Sequence, residues 1–295
     1  MSTPSHQLSG VGTALVTPFT ESGALDLDGF RRLLAHVGPH TDYWVLNGTT
    51  AESPTLEPAE VQALLACLHA ENRWKRPVVL GIGGNNTAQL LDAIAHADFS
   101  GICAVLSSAP AYNKPSQEGY FQHYTKLADA CPVPIILYNV PGRTASNVEA
   151  ATTIRLSRHP NIIGIKEASG NLFQCLAIAK HAEPGFLLIS GDDLLTVPIV
   201  SIGGHGAISV MSNAFPKQFC GYVRAALQGD YAEARRLVLQ QLETNQLLFA
   251  EGNPTGVKAA LALLGVCGPQ VRLPLVPATE SLVRQLREAM QGIDA

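Results

Sequence analysis

Lys166 is the residue of this chain whose position is hardest to explain by solubility. It follows Ile162-Ile163-Gly164-Ile165, a run that reads as a buried strand, and it is expected to point inward from that strand. The chain has seven lysines, and the other six stand in helical or loop contexts where a solvated ammonium costs little. Desolvation disfavours the charged form of an amine. Attack on a ketone needs the neutral form, so a lysine placed here suits Schiff-base chemistry. The competing reading is a buried ion pair with Glu167 or an aspartate. Neighbouring strand residues face opposite sides, which makes Glu167 a poor partner.

Three further places offer groups that such chemistry needs. Tyr138, near the end of an apolar run, offers a phenol to move protons at a carbonyl oxygen; taken alone, a strand tyrosine also reads as core packing. Thr49 and Thr50, after Gly48, offer two hydroxyls and adjacent N–H groups at a strand-to-helix turn. That is a natural cradle for a carboxylate, or an ordinary helix cap made by Thr50 or Ser53. Arg143, after Pro141-Gly142, can clamp a carboxylate bidentately or form a surface ion pair.

The elements that must position these groups repeat eight times. Strand-like runs fall at residues 11–19, 43–50, 77–84, 101–110, 134–141, 162–169, 186–193 and 206–213. Most are nearly continuous apolar runs, as in strands buried on both faces of a parallel sheet. Between them lie helical patterns such as Phe30, Leu33, Leu34, Val37. Eight βα units predict an α/β chain folded as a closed (β/α)8 TIM barrel, in preference to an open doubly wound sheet. The barrel is expected over residues 1–228, and a small helical extension over 229–295, with helical stretches near 231–250, 255–264 and 280–291. The polar oddities cluster at the carboxyl ends of the strands, where barrels build their sites.

Composition narrows the function classes. With 295 residues, 46% hydrophobic and 15% charged, the chain is too apolar for disorder. The low charge suggests that some surface is covered by copies of itself. A net charge of -4 and the absence of basic runs argue against nucleic acid. No apolar stretch reaches membrane-spanning length, and the polar start, Met1 to Gly10, lacks signal-peptide features. The six cysteines form no CxxC pair and read as buried hydrophobes in a reducing compartment. A soluble cytoplasmic protein is expected. The segments 81–84 and 203–206 are Gly-rich but match neither nucleotide-binding fingerprint. The nine histidines show no HExxH pair, and no metal or organic cofactor is called for, because the lysine itself serves as electron sink.

The pieces YNVPGRT, IIGIKEASGN, SGDD and GGHGAISV stand in the chain in that order. Through them the sequence resembles the pyruvate-dependent lyase superfamily of dihydrodipicolinate synthase and N-acetylneuraminate lyase, and its dihydrodipicolinate synthase branch in particular. The likeness runs from Gly12-Thr13 to Arg272-Leu273-Pro274. It implies a Schiff base between Lys166 and pyruvate, and a proton relay of Tyr138, Thr49 and Tyr112, with Tyr112 reaching into a neighbouring subunit. It also implies that Thr49 and Thr50 hold the pyruvate carboxylate. Backbone groups of Gly191 and Ile208 would line the pocket, and Arg143 would guide the carboxylate of L-aspartate 4-semialdehyde. The implied product is 4-hydroxy-tetrahydrodipicolinate, a precursor of diaminopimelate and lysine, and the implied assembly is a homotetramer built as a dimer of dimers.

Two departures stand out. Ala51 replaces the glycine usual in GTTGES, and its methyl would crowd the turn if that position needs positive φ. Ala111 replaces an aromatic residue. Where lysine-inhibited members bind their effector, Ser53 and Asn85 fit. Pro54, Pro58, Val61, Gln89 and Ala111 do not, so little or no inhibition by L-lysine is expected. Two alternatives remain: a pyruvate-dependent aldolase for a keto-deoxy sugar acid or related keto acid, and a catalytically silent barrel binding a small keto acid.

Overall fold

Every one of the eight apolar runs forms a strand, and each strand pairs in parallel with its sequence neighbours until β8 closes on β1. The computed structural model describes residues 7–293. The first six residues of the polar amino-terminal segment and the last two of the chain lie outside them. The strands are β1 (Gly10–Ala14), β2 (Tyr43–Leu46), β3 (Val78–Gly81), β4 (Ile102–Ser108), β5 (Ile135–Asn139), β6 (Ile162–Glu167), β7 (Leu187–Ser190) and β8 (Gly206–Ser209). They are shorter than the apolar runs, whose ends become the loops at the barrel mouth.

The helices over the barrel are α1 (Leu27–Val37), α2 (Pro58–Glu71), α3 (Thr87–His96), α4 (Gln117–Ala130), a four-residue α5 (Pro141–Thr144), α6 (Ala150–Leu156), α7 (Leu172–His181), α8 (Thr196–Ser201) and α9 (Pro216–Leu227). Their starts are written locally. Asp26, Asn86, Ser116 and Asn171 cap α1, α3, α4 and α7 with side-chain acceptors, each worth about 1 kcal/mol. Glu57 and Glu60 form a capping box at α2.

Alternate strand residues divide the core. The inward set, including Tyr43, Val45, Val79, Ala104, Leu106, Ile136, Leu187, Ile189 and Ile208, fills the barrel. Gly12 is small because the Tyr43 ring occupies its side-chain space; a Cβ there would lie 2.1 Å from the ring. The outward set, such as Val105, Ile135, Leu137, Ile165 and Leu188, packs against the helices. Burying each large apolar side chain contributes roughly 1.5–3 kcal/mol, so a register slip would forfeit both sets together.

Beyond α9 the chain adds α10 (Tyr231–Gln240), α11 (Leu242–Phe249), α12 (Thr255–Leu263) and α13 (Glu280–Met290). The expected stretch at 231–250 is thus two helices, broken at Gln241. Helix α12 corrects the expectation for one lysine. Lys258 is not solvated: it is 0% exposed, its Nζ donating to Glu52 Oε1 at 2.5 Å and to the Gln270 carbonyl at 2.8 Å. The reason is the run Gly256-Val257-Lys258-Ala259-Ala260-Leu261, which is buried on every side, so a helical context here implies no contact with water. Arg272 completes the strap, its N–H donating to Glu52 Oε2 at 2.8 Å. Its guanidinium clamps both Glu60 oxygens at 2.6 and 2.8 Å.

Candidate active site

Strand register brings the two main candidates together. Tyr138 on β5 pairs with Lys166 on β6, and both side chains point into the barrel near its carboxyl end. Lys166 is 5% exposed, and its Nζ sits 4.4 Å from the centroid of the Tyr138 ring. Among the described residues it has no ion pair. Glu167 turns to the other face, accepting from Asn139 Nδ2 at 3.0 Å, Gln174 Nε2 at 2.7 Å and the Ser169 N–H at 2.7 Å. The ion-pair reading of Lys166 therefore fails. Glu167 and Asn139 instead tie together the backs of the two strands whose fronts carry Lys166 and Tyr138.

Gly191 leaves room for the lysine. A Cβ at that position would lie 3.0 Å from both Cγ and Cε of Lys166 and 2.7 Å from the Ala168 Cβ, closer than packed atoms tolerate. Lys166, Tyr138, Gly191, Arg143 and Thr50 line one cavity of about 640 Å3, closed on its far side by Asn245, Phe249 and Asn253 of the extension. That is room for a molecule larger than a three-carbon keto acid. Thr49 lies in a neighbouring cavity of about 220 Å3, which shares Tyr138 as a wall and is otherwise lined by residues such as Gly48, Ser53, Gly81 and Ser108.

The threonine turn is not a helix cap. Thr49–Ala51 form a single 3-10 turn with no side-chain cap, and Ser53 caps nothing either. The Thr50 hydroxyl is buried and accepts from Asn253 Nδ2 at 3.0 Å. Ala51 does not take up a positive φ; the left-handed position falls one residue later, on Glu52 at φ 58°. Its methyl is accommodated, and its carbonyl accepts from Thr17 Oγ1 at 2.8 Å.

Arg143 stands exposed on α5 at the cavity mouth and has no ion pair among the described residues, so the surface-pair reading does not hold. Tyr112 is not brought to Lys166: it is 89% exposed and lines neither cavity. Its backbone has φ 69°, unusual for a tyrosine, and its N–H donates to Thr144 O at 3.1 Å. Ile208 is buried in the barrel interior, and Val210 rather than Ile208 reaches the cavity wall. Among the described residues, no three His, Cys, Asp or Glu side chains converge as metal ligands would.

Residues 7–293 match the model of the dihydrodipicolinate synthetase family. The chain belongs to that family. It is 49% identical over 285 residues to the 4-hydroxy-tetrahydrodipicolinate synthase of Cytophaga hutchinsonii, with 96% of each chain covered. It is 44% identical over 288 residues to that of Parabacteroides distasonis, covering 97% of each. Among solved structures it superposes on dihydrodipicolinate synthase from Thermotoga maritima with a TM-score of 0.91 at 37% identity, over 97% of this chain and 98% of that one. It superposes on a monomeric dihydrodipicolinate synthase variant with a TM-score of 0.94 at 37% identity, over 98% of each.

In this member of the dihydrodipicolinate synthetase family, sequence reasoning passed over two buried groups at the cavity. Asp193 lines it and accepts from the Val210 and Met211 N–H groups at 3.2 and 2.8 Å. Burial raises its carboxyl to about 6, against the lowering effect of the Met211 N–H and Ser209 hydroxyl. Asp193 stands in the SGDD piece, which assigned it no role of its own. Asn253, in the loop before α12, carried no local signal at all. Its partner lies 203 residues away.

Proposed function

We propose that this chain condenses pyruvate with L-aspartate 4-semialdehyde to give 4-hydroxy-tetrahydrodipicolinate. The observation that carries the reading is Lys166: a buried amine that makes no ion pair among the described residues, in a cavity it shares with the Asp193 carboxyl, a phenol and an unpaired guanidinium. The relatives named 4-hydroxy-tetrahydrodipicolinate synthase support it. The sugar-acid aldolase and the silent barrel are not favoured.

In the proposed reaction Lys166 Nζ attacks the ketone carbon of pyruvate, and its carboxylate rests on the Thr49–Thr50 turn. Tyr138 gives a proton to the carbonyl oxygen, which leaves as water when the Schiff base forms. The cationic imine draws electrons from the methyl carbon; loss of a proton there gives the enamine. The enamine carbon bonds to the aldehyde carbon of the second substrate, whose carboxylate Arg143 holds at the mouth. The new alkoxide takes up a proton. The substrate's own amine then displaces Lys166 and closes the ring, returning the lysine free.

Thr49 and Tyr112 extend the proton relay from Tyr138. Tyr112 is exposed and lines neither cavity of its own chain, which supports a relay completed by a second copy of the chain. A dimer of dimers, a cytoplasmic location, and a division at residue 228/229 into barrel and extension belong to the same proposal. No helix among the described residues is long and apolar enough to cross a membrane.

Incubation with pyruvate and borohydride, followed by intact mass and peptide mapping, tests the core of the reading. A reduced pyruvate adduct on Lys166 is expected, as is turnover with aspartate semialdehyde exceeding that with polyhydroxylated aldehydes. Absence of the adduct in folded protein would overturn the proposal.

A further inference from the structure

The pyruvate-facing wall of the cavity is built from two distant parts of the chain. Thr50 comes from the turn after β2, and Asn253 from the loop ahead of α12. Asn253 is 7% exposed and donates its amide N–H to Thr50 Oγ1 at 3.0 Å. Its own Oδ1 is buried without a partner among the described residues. Two residues beyond Thr50, Glu52 is gripped by Lys258 and by the Arg272 N–H. The extension thus holds the threonine turn at its hydroxyl and at its end.

A hydroxyl is both donor and acceptor, and its role is set by what its neighbours take. The Asn253 amide occupies an acceptor site on Thr50 Oγ1. No acceptor takes the hydroxyl proton among the described residues, although Thr50 is buried and lines the cavity. A buried donor left open in this way is rare unless a bound group completes it. We infer that Asn253 is a positioning residue that commits the Thr50 hydroxyl to donating, so that the keto-acid carboxylate is bound across the seam between barrel and extension. The inference rests on the proposed keto-acid reading and adds to it a residue outside the barrel, acting through Thr50 and not on the reacting atoms.

The substitutions predict an ordered series. Asn253→Ala removes the donor and frees the Thr50 hydroxyl to turn away from the carboxylate. Asn253→Asp keeps the shape but can only accept from Thr50, and it adds a negative charge beside the carboxylate's seat. The pyruvate concentration for half-maximal borohydride trapping on Lys166 should rise about tenfold for Ala, the size of one hydrogen bond to a charged group, and by a larger factor for Asp. Trapping at saturating pyruvate should be retained in both. Thr50→Val should raise the half-saturation itself, and Asn253→Ala added to it should cause little further change, because the two residues act as one unit. A merely structural role would lower thermal stability with half-saturation unmoved.

Wild-type half-saturation in Asn253→Asp, or in Asn253→Ala, overturns the inference. If the alanine variant does not fold, the near-isosteric aspartate variant carries the test alone. Absence of trapping in the wild-type protein would sink the keto-acid reading itself, a result distinct from trapping that ignores residue 253.

Discussion

Two lysines are buried in this chain, and their surroundings differ in what the ammonium is given. Lys258 is held by the Glu52 carboxylate, the Gln270 carbonyl and the Phe19 ring, whose centroid lies 4.3 Å from Nζ. Burial pushes its ammonium below the ordinary lysine value, and Glu52 opposes that shift. Lys166 has the face of Tyr138 and the open volume of a cavity that Asp193 also lines, and it makes no ion pair among the described residues. Burial alone therefore does not mark a nucleophile. Lys258 has its hydrogen bonds taken up by the protein and works as a strut, whereas the Lys166 nitrogen faces the cavity, as the proposed Schiff-base role requires.

The sharpest way to break that comparison is to exchange the roles by mutation. Lys166→Met should abolish the pyruvate adduct and lower turnover by about 10^3-fold or more while leaving the fold intact. Lys258→Met should leave the adduct on Lys166 in whatever protein folds. It should nevertheless lower unfolding free energy by roughly 3–5 kcal/mol, because Glu52 is left buried and uncompensated. Denaturant melts check this, and pairing Lys258→Met with Glu52→Gln should recover part of the loss. A stable Lys258→Met protein without adduct would show that the strut is itself part of the chemistry.

A smaller effect is expected from crowding. Gly191→Ala puts a methyl against the Lys166 stem, and overpacking of this kind costs about 1–3 kcal/mol. Single-turnover trapping should slow about tenfold if that strain falls on the lysine, with a modest change in melting temperature.

The two regions also answer pH in opposite directions. Burial pushes the Asp193 carboxyl at the cavity wall up to about 6, against 3.8 ordinarily. Its contribution to stability is complete below about pH 4 and is lost as pH rises through 6, at most about 3 kcal/mol. Glu60 under the strap is held at about 2, chiefly by its hydrogen bonds to Arg272. Its contribution is present above its ordinary value and is lost as pH falls toward 2. Stability measured from pH 3 to 7 should lose its downward slope near pH 5 in Asp193→Asn. The acid limb alone should flatten in Glu60→Gln. The smallest effect concerns L-lysine, which at sub-millimolar concentration should leave turnover unchanged. Half-loss of activity there would show that the replaced positions, Pro54, Pro58, Val61, Gln89 and Ala111, do not silence the effector site.

Much of the site could be read from local pattern because the signals are local. Eight apolar runs separated by helical periods specify eight βα units, and closure follows because only a barrel leaves those strands without an edge. Lys166 was readable because a charge at the end of an apolar run is costly wherever that run is buried. The outward turn of Glu167 followed from strand alternation. Lys258 was misread for a related reason: it also sits in an apolar run, Gly256 to Leu261, but a helix shows which residues neighbour it and not what covers it.

What the sequence determined by itself was the barrel, its order of strands, and a lysine, a tyrosine, two threonines and an arginine at one end of it. Tertiary structure alone decided which of them meet. Register set Tyr138 beside Lys166, the loop after β4 left Tyr112 exposed, and loop geometry put a left-handed residue at Glu52 and not at Ala51. The returning extension brought Asn253 to Thr50 and Lys258 to Glu52, across separations of 203 and 206 residues. Period and turn chemistry act over a few residues. A hydrogen bond between groups that far apart exists only once the whole barrel has closed and its packing has chosen where the chain returns.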